Sequence, residues 1–147
     1  MRLSQFTTAP VVYCGSQTFS MTDELYKELI LEHARHPHQK GVLKCATTRA
    51  SSNNPSCGDT MHVALTISDK GVVEEAMFNG DGCAISQAAA SLLMVHILNK
   101  TIDELRIMTP GTIYSLLGVE VGPSRVQCAL LAYETLSQAL RKLDQSA

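Results

Sequence analysis

The stretch from Met61 to Asn79 constrains this chain more than any other. Met61, Val63, Leu65 and Ile67 alternate with His62, Ala64 and Thr66, the two-residue period of a strand with one buried face. Ser68-Asp69-Lys70-Gly71 follows and supplies hairpin turn chemistry, so Val72 to Asn79 is predicted to return as an antiparallel partner. A further strand is predicted upstream, over Val42 to Thr48, with the polar run Ser51 to Gly58 as a loop. The buried face of such a sheet needs a second layer, which helices can supply. Leu25, Leu29, Ile30 and His33 mark an amphipathic helix from Asp23 that Pro37 brings to an end. Ser20 and Asp23 resemble a capping signature at its start. After the Gly80-Asp81-Gly82 break, Cys83 to Asn99 reads as a helix rich in small residues, with Asp81 as its N-cap. Short helices are predicted over Thr101 to Met108 and Gly111 to Leu117. Ser124 and Gln127 have the spacing of a capping box and open a last helix to about Leu143. Ala129, Ala132, Leu136, Ala139 and Leu143 share one of its faces. The expected class is α+β: an N-terminal helix, a three-stranded antiparallel meander, then C-terminal helices, with the sheet packed against the helices.

A chain of 147 residues is one domain's worth. Residues 1–20 are rich in Thr, Ser and Gln without apolar period and read as a flexible leader, leaving 21–147 as the folded domain. Met21 stands where an independent start could lie. With 45% hydrophobic and 18% charged residues the chain can bury a real core. The net charge is −2 and no stripe of Lys and Arg forms, which argues against a nucleic-acid partner. The nearly apolar run from Ala88 to Leu98 is broken by Ser91 and His96 and is too short to span a membrane. The leader carries one charge, Arg2, and no long apolar stretch, so it does not read as a secretory signal.

The cysteines fall at 14, 45, 57, 83 and 128, an odd number without close pairs. That pattern points to a reducing cytoplasm and to metal or catalytic use rather than a disulfide framework. Cys57 and Asp59 stand two apart where an extended chain begins, so both side chains point to the same side. Cys83 is expected at the second or third position of its helix, and Cys128 in the first turn of the last one. Free N–H groups and the positive end of the helix dipole favour a thiolate there. Three thiolates and a carboxylate suit tetrahedral zinc, and soft sulfur also suits iron–sulfur chemistry. Four anionic ligands leave the site negative, and Arg125, expected in the same first turn as Cys128, is placed to offset part of that charge. The spacing matches no zinc ribbon. On spacing alone, buried structural cysteines remain the alternative to a shared metal site.

Asn54-Pro55-Ser56-Cys57-Gly58-Asp59, Gly82-Cys83-Ala84-Ile85-Ser86 and Arg125-Val126-Gln127-Cys128 together resemble the IscU/SufU scaffold proteins, the NifU N-terminal-like family. Leu31-Glu32-His33 through Pro37 is similar as well, and the resemblance runs from about Asp23 to Leu143. It implies a metal site of Cys57, Asp59, Cys83 and Cys128 and a role in iron–sulfur cluster assembly. It also implies a cysteine desulfurase as partner, with Cys57 as the sulfur acceptor. SufU-like members hold zinc and accept persulfide sulfur. IscU-like members build a transient [2Fe–2S] cluster, binding iron, for downstream carriers or apo iron–sulfur proteins. The wording around Cys83 and the position of Arg125 are SufU-like, but the insertion usual in that branch between the second and third cysteines is missing. Gln127 replaces the histidine that IscU-like members carry before the last cysteine. Val121-Gly122-Pro123-Ser124-Arg125 replaces their L-P-P-V-K run.

Two readings of other classes compete. A zinc hydrolase or deaminase needs an open metal position and a general base, and no H-x-E or P-C-x-x-C pattern exists. A thiol redox protein is opposed by the missing C-x-x-C. Cys45 reads as core or edge filler in the first strand and Cys14 as incidental. His33, His36 and His38 cluster near the end of the first helix, where cationic histidine is favourable without any metal. His62 and His96 read as structural.

Overall fold

The structure, a computed structural model, describes residues 23–55 and 58–146. Helix α1 (Asp23–Arg35) leads into strands β1 (Thr48–Asn54), β2 (Asp59–Ile67) and β3 (Val73–Asn79). Helices α2 (Ala84–Ile97), α3 (Ile102–Arg106) and α4 (Pro110–Leu117) follow, then a 3-10 turn at Pro123–Arg125 and the long α5 (Val126–Ser146). The sheet is antiparallel in the order β1-β2-β3. This is the expected α+β class. The leader with Cys14 and Ser20 lies outside the described residues, as do Ser56 and Cys57.

The hairpin forms as its alternation predicts. Met61, Val63 and Leu65 are buried, and β3 answers with Val73, Ala76 and Phe78. The Ser68 N–H donates to Val72 O at 2.9 Å and the Gly71 N–H to Ser68 O at 2.9 Å, closing the turn. Helix α5 covers β1 and β2, while α2 packs between β3, α5 and α1. Ala88, Ala89, Leu93, Met94 and Ile97 of α2 meet Ala129, Ala132 and Leu136 of α5 in the shared core. Among the described residues no helix is long and apolar enough to cross a membrane.

The first strand lies elsewhere than expected. Residues 42–47 are irregular, Val42 is 70% exposed, and β1 occupies the polar segment that read as a loop. Its inward positions, Thr48, Ala50, Ser52 and Asn54, are small, and α5 lies against that strand. Small residues let helix and strand approach closely. The Thr48 hydroxyl then donates to Ala139 O at 2.8 Å and the Gln138 amide to Ser52 Oγ at 2.8 Å, so the polar groups are satisfied. Arg49 donates to the carbonyls of Leu43 and Lys44 and ties the irregular segment down. Cys45 is exposed there and is not core filler.

Two helix starts also differ from expectation. Pro123, with its fixed φ, begins the helical path before Ser124, and Gly122 is the extended N-cap residue (ψ 158°). Ser124 therefore sits inside a 3-10 turn and not at its N-cap position. Among the described residues a capping box forms at Thr101 with Glu104 on α3. On α2 the N-cap is Cys83 itself, extended at ψ 171°, because Asp81 is already committed to β2. Its carbonyl accepts from Thr60 N–H at 2.8 Å, and its N–H donates to Thr60 Oγ1 at 3.2 Å.

Candidate metal centre

Three of the four sequence-predicted ligands converge. One ligand atom from each of Asp59, Cys83 and Cys128 lies within 4.8 Å of the others. Among the described residues no other group of three such side chains does so. In a tetrahedral site with Zn–S near 2.3 Å, neighbouring sulfurs stand about 3.8 Å apart.

Each ligand is placed by a backbone boundary. Asp59 opens β2 opposite Asn54, the last residue of β1. It is 4% exposed, and its Oδ2 is buried with no hydrogen-bond partner among the described residues. A buried carboxylate oxygen without a donor is costly unless a cation completes it. Cys83 caps α2, and Cys128 is the third residue of α5, buried at 2% exposure.

Burial pushes the Cys83 thiol up, but hydrogen-bonding groups around it outweigh that penalty. They are the Ser86 N–H, the Cys128 thiol, the Ser86 hydroxyl and the Ile85 N–H, and together they hold Cys83 below the ordinary thiol value. The sulfur closes no capping hydrogen bond of good geometry. The free first-turn N–H groups act on it as nearby dipoles.

Two glycines make the room. A Cβ on Gly80 would stand 2.3 Å from Thr60 O, and its φ of +125° disfavours any side chain as well. A Cβ on Gly82 would stand 2.2 Å from Ser86 Oγ, 3.0 Å from Asp59 Cγ and 3.2 Å from Asp59 Oδ2. Gly82 thus keeps open the space between the carboxylate and the start of α2. Ser86, fully buried, donates to Cys83 O at 3.0 Å. In the sequence Gly80-Asp81-Gly82 reads simply as a break. The structural need at Gly82 is steric and arises from Asp59, far away in the chain.

Cys57 lies outside the described residues, so the predicted fourth ligand enters by its place two residues before Asp59 in sequence. Arg125 is exposed in the 3-10 turn, outside the first turn of α5. The histidine cluster has another use. His33 Nδ1 is 2.7 Å from Ser91 Oγ, the His38 N–H donates to the same oxygen at 2.7 Å, and the His33 and His38 rings stack at 4.7 Å. These contacts anchor the turn after α1 to α2. His62 pairs with Ser51 Oγ at 2.7 Å on the outer face of the sheet.

Comparison with known proteins places this geometry. The family of the NifU-like N terminal domain matches residues 25–146. The zinc-dependent sulfurtransferase SufU of Bacillus subtilis (strain 168) is 33% identical over 137 residues, covering 82% of this chain and 92% of that protein. The iron–sulfur cluster assembly scaffold protein IscU of Thermotoga maritima is 34% identical over 137 residues, covering 82% of this chain and 96% of its own. Among solved structures, a nitrogen-fixing NifU-like protein (N-terminal) from Brucella abortus superposes with a TM-score of 0.70 at 25% identity, covering 85% of this chain and 98% of that one.

Proposed function

The chain belongs to the family of the NifU-like N terminal domain, and on that premise we propose that it works in iron–sulfur cluster assembly as a sulfur acceptor and scaffold. Its centre is Cys57, Asp59, Cys83 and Cys128. The observation that carries the reading is the buried Asp59 Oδ2, which has no hydrogen-bond partner among the described residues, with two sulfurs gathered around it. Three thiolates and one carboxylate fit a tetrahedral zinc ion, which when bound would hold its sulfur ligands as thiolates.

Cys57 is the acceptor. Its thiolate attacks the outer sulfur of a persulfide carried by a cysteine desulfurase. A new S–S bond forms to Cys57, the donor's S–S bond breaks, and the donor cysteine leaves as thiolate, so the exchange needs no oxidant. Asp59, Cys83 and Cys128 form the preset wall against which Cys57 works, and Cys83 carries negative charge readily because of the donors at the start of α2. The wording around Cys83 and the glutamine at 127 favour zinc-dependent sulfur transfer over assembly of a [2Fe–2S] cluster from iron. The recipients are downstream carriers or apo iron–sulfur proteins. The reduced thiols of Cys45 and Cys83 suit a cytoplasmic setting.

The test is incubation with a cysteine desulfurase and cysteine. Expected are a faster desulfurase, a persulfide on Cys57 by mass spectrometry, and one zinc per chain that Cys83→Ala and Cys128→Ala abolish. A brown chromophore on adding iron would instead assign cluster scaffolding. Unchanged metal content in both variants, or a reversible Cys83–Cys128 disulfide with no persulfide, would overturn the proposal.

A further inference from the structure

The loop Gly80–Gly82 lies directly over the ligands. Its Gly82 faces the Asp59 carboxylate, and it delivers Cys83 to the start of α2. Its bonds to β2 and β3 run through Thr60 and Asn79. Its tie to α2 beyond the cap runs through Gln87, whose Nε2 donates to Gly80 O at 3.4 Å, a long hydrogen bond. The Gln87 backbone N–H donates to Cys83 O at 3.0 Å. One residue thus holds the loop at both of its ends.

Gln87 is itself held from another part of the chain. Its Oε1 accepts from Lys40 Nζ at 2.9 Å, and Gln87 is 6% exposed whereas Lys40 is exposed. An ammonium can only donate and a carbonyl only accept, so both contacts form in one orientation of the amide alone. Lys40 is in turn fixed by backbone. It bridges to Phe78 of β3, with the Phe78 N–H donating to Gln39 O at 2.9 Å and the Gly41 N–H to Phe78 O at 2.8 Å.

We infer that Lys40 and Gln87 form a strut, from the turn after α1 to the loop over the ligands, that positions Cys83 and sets how slowly the centre gives up its metal. Both are positioning residues, acting through Gly80 and Cys83. The inference rests on the metal reading above, extending it to residues outside the ligand set. Supporting residues around metal ligands typically change affinity by about 10–100-fold. The long Gln87–Gly80 bond places this strut near the lower bound.

The experiment measures zinc loss to a chromophoric chelator, and hydrogen exchange at the Asp81 and Cys83 amides in metal-free protein. The variants are Lys40→Met, Lys40→Arg and Gln87→Met, with Lys44→Met as a charge control. Lys40→Met and Gln87→Met are expected to release zinc about tenfold faster and to exchange those amides faster. Urea midpoints should stay unchanged, Lys40→Arg should restore much of the effect, and Lys44→Met should do nothing. Wild-type rates in both variants would overturn the strut. If wild-type protein binds no zinc, the metal reading fails, and the amide exchange then decides the strut by itself. If Gln87→Met does not fold, Lys40→Met, at an exposed position, carries the test.

Discussion

Replacing Asp59 by Asn should change stability in opposite directions with and without metal. Asp59 Oδ2 is buried with no hydrogen-bond partner among the described residues, which without a bound cation would cost about 1–3 kcal/mol. The isosteric amide is cheaper to bury than a carboxylate, so metal-free Asp59→Asn should gain roughly 1 kcal/mol. For a domain of this length that is a rise in Tm of about 3–5 °C. With zinc held at about a hundred times Kd, the wild-type protein gains about 2.7 kcal/mol. Losing the charged ligand should weaken zinc by about 100-fold or more, leaving the variant roughly 0.4 kcal/mol from the same zinc. The order therefore inverts, with wild type ahead by about 1 kcal/mol. Urea unfolding in chelator and at fixed free zinc measures both differences. A metal-free variant less stable than wild type by 1 kcal/mol or more would mean that the carboxylate bonds within the fold, and the reasoning would be refuted.

Gly82→Ala should keep the fold yet cost about tenfold or more in zinc affinity, because its Cβ displaces Ser86 Oγ and the Asp59 carboxylate; calorimetric titration checks it. Gly80→Ala meets backbone at Thr60 O and a φ of +125°, so it should instead lower stability by about 2 kcal/mol, read by urea unfolding. In metal-free protein the pH midpoint for Cys83 alkylation should fall below that of free cysteine, about 8.5, since the surrounding donors favour the thiolate. Ser86→Ala should move that midpoint back up, as followed by site-resolved mass spectrometry. His33 is lowered by burial and then by His38, so on acidification the unfolded chain takes up the proton first. Its contribution to stability is intact above about pH 6.5 and declines as pH falls towards the folded-state value. His33→Gln should flatten that acid limb of the stability profile measured by urea unfolding.

Much of this was legible where apolar period and local chemistry agree. The β2–β3 hairpin, α1 ending before Pro37, and the alanine face of α5 all follow from residues close together in sequence. The first strand was not legible. Thr48, Ala50, Ser52 and Asn54 carry no hydrophobic signal, and their strand exists because small residues on both sides let α5 lie close to β1. The two start signals misread at Asp81 and Ser124 failed for a related reason. Asp81 was taken by Thr60 of another strand, and Ser124 was pre-empted by its neighbour Pro123. Asp59, Cys83 and Cys128 could be singled out because their residue types advertise ligation. Gly82, Ser86, Gln87 and Lys40 could not, since each acts through a contact with a residue from elsewhere in the chain.

The position of the centre relative to the core bears on what such a site can do. Met61, Phe78, Leu93, Met94, Ile97 and Leu136 are fully or almost fully buried among the strands and helices, and they bury one another without help from the ligands. The candidate ligands Asp59, Cys83 and Cys128 lie instead where elements begin: the first residue of β2, the cap of α2 and the first turn of α5. The packing of strands and helices therefore brings Asp59, Cys83 and Cys128 together, unlike a small zinc domain whose folding free energy is its metal binding. The local cost of that arrangement is concentrated in one carboxylate oxygen, the buried Oδ2 of Asp59. On the proposed function a bound ion would relieve that cost, while the core is built from other residues. A centre that can fill and empty without unfolding its protein meets the physical requirement for handing sulfur or a cluster onward.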